Sequence, residues 1–118
     1  MIREIIESSD KDKHAFLCEG MDAIRFFINT IRSENIKCHN LIHATGINIS
    51  TDLIIKRFID SVVFRDNNKY YLLICNEDGK YYFYSRREGA YHKYDWGSYQ
   101  IYNFNQIKRD NIIKELLK

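Results

Sequence analysis

Three carboxylates stand where they could share a hard cation: Glu19 at the end of the apolar run AFLCE, Asp22 three residues on, and Asp66 in the segment RDNN. Magnesium wants clustered oxygen ligands, so carboxylates at the ends of neighbouring strands are the least such a site needs. Asp22 has a simpler role in the first turn of a helix beginning after Gly20, where the helix dipole favours negative charge and the glycine serves as a flexible joint. A softer set comprises His14-x3-Cys18 and Cys38-His39-x3-His43. Its combined spacing is not that of a zinc knuckle, and buried thiols acting as small hydrophobes account for the cysteines. Metal-free RNase chemistry would need two of His14, His39, His43 and His92 brought together by the fold. No Ser-x-Gly elbow, P-loop or dinucleotide-binding glycine pattern is present. The expectation is no catalytic set, no metal and no cofactor, with Glu19, Asp22 and Asp66 as the alternative metal ligands.

The stretch FLCEGMD resembles the first motif of Toprim domains, in which a strand ends in Glu-Gly and runs into a helix with an early Asp. The resemblance implies a magnesium-dependent nucleic-acid enzyme with a β-α-β-α-β core, Glu19 working beside a later Asp-x-Asp pair. Strands near residues 15–19, 37–43 and 61–64 would build that core. The sequence departs from the pattern twice: Glu19 and Asp22 are one residue too close, and the later pair reads Asp66-Asn67-Asn68. The segment IDSVVFRDNNKYYLLICN resembles the PD-(D/E)xK nuclease core, with Asp60 as first ligand. Ile74 and Asn76 stand where its second acid and its lysine belong, so that metal site is missing.

These groups must be positioned by a small set of elements. Met21, Ile24, Phe27, Ile28 and Ile31 recur at spacings of three and four, an apolar stripe that predicts a helix over 21–33. A short helix is expected at 2–8. Ser50-Thr51-Asp52 offers a cap for another through about residue 60, burying Leu53, Ile54 and Phe58. A last helix follows an Asn105 cap, with Ile112, Ile113, Leu116 and Leu117 together. Between these lies SVVFRDNNKYYLLICNEDGKYYFYS, where Asn67-Asn68 and Asp78-Gly79 predict two type I′ hairpin turns, with Glu77 facing Lys80. One sheet face then collects Tyr71, Leu73, Cys75, Tyr82 and Tyr84, and the other Tyr70, Leu72, Ile74, Tyr81 and Phe83. Both are apolar or aromatic, so both need a cover. Residues 98–104 add a further strand. The expected fold is α+β: a helical N-terminal half, an antiparallel β-meander of three to four strands and a C-terminal helix, all in one domain spanning 1–118.

Composition sets the function class. The chain has 118 residues, 45% hydrophobic, with a net charge of +2. Residues 1–60 carry −1 and residues 61–118 carry +3, a mild asymmetry without the dense basic stripe of most phosphate-reading proteins. No run approaches the roughly 20 apolar residues of a membrane span, and the N-terminus lacks a secretory pattern. Three cysteines without a CxxC predict reduced thiols in a cytoplasm. Proline is absent, and heavy use of Ile, Asn, Lys and Tyr has the flavour of AT-rich phage or mobile-element DNA. All nine tyrosines fall between Tyr70 and Tyr102. Tyrosine, tryptophan and arginine anchor interfaces, so Tyr82, Tyr84, Arg86, Arg87, Tyr91, Tyr94 and Trp96 are the expected contacts with a partner protein. The expected role is that of a small non-enzymatic binding protein, an immunity or anti-defence inhibitor that occludes its partner through an open, aromatic-rich sheet face. The alternative is nucleic-acid binding, with rings stacking on bases and Lys69, Lys80, Arg86, Arg87 and Lys93 on phosphates.

Overall fold

The computed structural model describes residues 1–39, 69–87 and 98–117. In chain order these form α1 (Ile2–Glu7), β1 (Lys13–Glu19), α2 (Met21–Ser33), β2 (Cys38–His39), β3 (Lys69–Glu77), β4 (Lys80–Arg87), β5 (Gln100–Asn103) and α3 (Phe104–Leu116). The fold is α+β, with a helix at each end. The helix expected over about 51–60, the strand at 61–64 and the Asn67-Asn68 turn lie outside the described residues.

One hairpin of the expected pair is described. Asp78 and Gly79 adopt φ of 54° and 80°, the two positive values that a type I′ turn requires, and they bring Glu77 opposite Lys80. The wider sheet corrects the antiparallel meander. Among the described residues it has five strands in the order β2-β4-β3-β1-β5; β1–β3 and β3–β4 pair antiparallel, whereas β1–β5 and β2–β4 pair parallel. The N-terminal half thus contributes β1 and β2 besides its two helices. The physical reason lies in β1, where Ala15, Phe16 and Cys18 are all fully buried. A strand this buried must pair its backbone N–H and C=O groups on both edges, and β3 and β5 do so.

The helices cover one face. Phe16, Cys18, Tyr70, Leu72, Ile74 and Phe83 point from the sheet into a cluster completed by Ile2, Ile6, Phe104 and the α2 residues Ala23, Ile24, Phe27, Ile28 and Ile31. The Phe16 ring lies 5.1 Å from Phe27 and 4.6 Å from Tyr102, and Phe27 meets Phe104 edge-on at 5.0 Å. Gly20 enters α2 at φ 91° with open space where a Cβ would lie, so its backbone angle, not crowding, calls for glycine.

Side chains close the helix ends. The Glu34 carboxylate accepts from the backbone N–H groups of Ile2 (3.2 Å) and Arg3 (2.7 Å), capping α1 from the far end of α2, and pairs with the N-terminal ammonium at 3.0 Å. Burial pushes the Glu34 pKa up, but these bonds outweigh it and hold the carboxyl below its usual range. At α3 the cap is Asn103, which accepts from the N–H of Gln106, and not the expected Asn105. Asn105 is engaged elsewhere, exchanging two hydrogen bonds with the backbone of Glu19.

Candidate functional site

The chemistry-bearing residues are scattered. Glu19 ends β1 opposite Lys69, and the exposed Asp22 pairs with Arg25 at 3.1 Å; Asp66 lies outside the described residues. Among the described residues no three of His, Cys, Asp and Glu stand close enough to hold a metal ion. His14 and Cys18 on β1 are separated from Cys38 and His39 on β2 by β3 and β4, three strand spacings or about 14 Å. That is too far to share an ion. His43 and His92 lie outside the described residues.

The described cysteines and histidines are each engaged within the fold. Burial drives the Cys18 thiol pKa far up, lifts Cys38 to about 12, and raises Cys75 against the opposing bond from the Tyr99 hydroxyl. Such thiols stay protonated at neutral pH and are poor nucleophiles. His14 is 1% exposed, with Nδ1 3.3 Å from the Tyr102 hydroxyl. Burial lowers its pKa, with Asp12 acting in the opposite direction. His39 stacks on Tyr82 at 5.1 Å.

The aromatic sheet face is less open than expected. Ala15, Leu73 and Cys75 at its centre are buried, and Tyr71, Tyr84 and Tyr99 pack around them, each half-buried. Tyr82 is half-buried as well. The centre is therefore buried, and among the described residues the rings around it are partly exposed. Arg86 and Arg87 end β4 opposite Tyr71 and Tyr70; Tyr91, Tyr94 and Trp96 lie outside the described residues.

The large exposed apolar surface is elsewhere, on α3. Phe104 is fully buried and Ile107 half-buried, and Asp110, Asn111 and Lys114 line a cleft against Met1 and Ile5 of α1. At 100° per residue these five positions share the side of the helix facing the body. Ile112, Ile113 and Leu116 fall on the other side, about 80°, 180° and 120° round from Phe104, and the capping residue Leu117 follows at about 220°, beside Asp110. They are exposed by 46%, 48%, 78% and 81%. Residues 112–117 are exposed throughout, although Lys114 still lines the cleft against α1. The sequence groups these four apolar residues together, and Phe104 and Ile107 do not line up with them on a helical wheel.

The comparisons find no match. No protein-family model fits the chain, and neither curated proteins nor solved structures resemble it closely enough to register. Among the described residues no helix is long and apolar enough to cross a membrane.

Proposed function

We propose that this chain acts by binding another protein, with the outer stripe of α3 as its docking element. The carrying observation is the run of exposed apolar side chains, Ile112, Ile113, Leu116 and Leu117, at the end of α3. Contiguous exposed apolar surface marks interaction sites, and Ile112–Leu116 and Ile113–Leu117 are i, i+4 neighbours of the kind an amphipathic helix lays into a partner's groove. Burying one Leu or Ile side chain contributes about 1.5–3 kcal/mol, so two or three inserted anchors suffice for a specific complex.

A partner of different sequence fits better than a second copy. A two-fold contact would set this stripe against its own image, two convex helix ridges with no groove to receive either. The described clefts do not suit the stripe either, being lined by Arg3, Lys37 and Lys80, by Ser8, Ser9 and Asp10, or by Glu4, Asp110 and Lys114. The half-buried tyrosine rim, on the sheet face away from the helices, would form a separate contact surface. The inhibitor role expected from the sequence is the specific form of this reading, in which docking occludes the partner's working surface.

A photo-crosslinking amino acid at Leu116, compared with one at Asn29 on the α2 surface, tests it. The expected result is a discrete hetero-adduct from position 116 that disappears when Ile113 is replaced by Glu. Equal labelling from both positions, or an adduct of twice the chain mass, would overturn the reading.

A further inference from the structure

A second surface carries chemistry of another kind. Where β2 edges the sheet, a cleft of about 340 Å³ opens, lined by Arg3, Asn35, Lys37, His39, Lys80 and Tyr81 among others. Three of these are fixed cations, and no carboxylate is in the lining. The lips are two turns held in left-handed conformations, Asn35 at φ 56° after α2 and Asp78-Gly79 before β4.

The cations differ in how they are held. Arg3 donates to Glu34 O (3.3 and 2.9 Å), Asn35 O (2.9 Å) and the Glu7 carboxylate (3.1 Å). That leaves one of its five N–H groups, on a guanidinium already locked in place. Lys37 and Lys80 are exposed, and among the described residues neither has an ion-pair partner. Glu77 lies opposite Lys80 in the hairpin register without closing to an ion pair. Beside the cations the His39 ring lines the cleft, backed by Tyr82, on which it stacks outside the lining, and Tyr81 offers a hydroxyl.

From this arrangement we infer that the cleft binds a nucleotide, its phosphate held between Lys37, Lys80 and Arg3 and its base laid against the His39 ring, which Tyr82 backs. Two mobile ammonium groups flanking a fixed guanidinium suit a phosphate's three acceptor oxygens. The His39 ring supplies the stacking surface that bases take without regard to sequence. The volume is that of a small-ligand site. Free nucleotides and single-stranded nucleic acid share this chemistry, and the site is independent of the α3 stripe.

Amide NMR titration with adenosine monophosphate, inorganic phosphate and a short oligothymidylate tests the assignment. The expected result is saturable shifts at Asn35, Lys37, Gly79 and Lys80, with the nucleotide binding about tenfold tighter than phosphate because of the stacked base. The Lys37→Glu/Lys80→Glu double variant should lose about a hundredfold, tenfold per lysine, with an unchanged melting curve, and Leu116→Glu should bind like the parent. A polymer ligand would show the oligothymidylate binding tighter than the mononucleotide at the same amides with a steeper salt dependence; a free nucleotide would reverse that order. Absence of shifts at these amides with every probe, full binding by the double variant, or phosphate binding as tightly as both others would overturn the assignment.

Discussion

α2 and α3 are both 13 residues long, yet one is a core element and the other half a core element. In α2 the apolar positions form a single stripe, and five of them are buried. In α3 the first turns contribute Phe104 and Ile107 to the body, and the later apolar residues turn to the other side and are left bare. Two apolar patches on different sides cannot both face one core, because a helix packs against a sheet along one side only. The lesson is that apolar spacing within a helix locates a stripe, whereas its phase relative to the rest of the helix decides whether that stripe belongs to the fold.

Substitutions across the two helices sharpen the contrast. The largest effect is expected at Phe27, which touches Phe16 and Phe104 at full burial: Phe27→Ala should lower unfolding free energy by about 3–5 kcal/mol in chemical denaturation. Next is Glu34, the clamp between α1 and the end of α2. Glu34→Ala should cost about 1–2 kcal/mol at neutral pH, as loss of a capping acceptor does. This cost carries a pH signature. The folded-state pKa of Glu34 is depressed, so its contribution is present above the unfolded-state value near 4.3 and disappears as pH falls through the lower folded-state value. Denaturation curves of parent and variant should therefore converge in acid. A smaller effect is expected at Gly79, where φ is 80° and the surrounding space is open; Gly79→Ala should cost about 1 kcal/mol from backbone conformation alone, readable as a shift in denaturation midpoint.

Local pattern carried much of the fold. The stripe from Ile24 to Ile31 placed α2, Asp78-Gly79 placed the hairpin, and alternation along β3 and β4 sorted Tyr70, Leu72, Ile74 and Phe83 from Leu73, Cys75 and Tyr84 onto opposite faces, as observed. Strand order was not legible, because β1 and β5 are more than 80 residues apart in sequence and no local periodicity encodes which distant edges meet. The cap of α3 was mistaken for a similar reason. Asn103 and Asn105 are chemically alike, and only the tertiary approach of Glu19 engages the second and leaves the first as the cap. The buried centre of the second sheet face was hidden too, since apolar strands state a need for cover without naming what provides it.

The central claim is that the outer stripe of α3 serves something other than the fold, and equilibrium unfolding of an Ile113→Glu/Leu116→Glu variant tests it most directly. With both side chains facing solvent, the unfolding free energy should match the parent within about 0.5 kcal/mol, as surface substitutions do. A loss of about 2 kcal/mol or more, the scale of a buried aliphatic side chain, would show the stripe packed into the body and contradict the account.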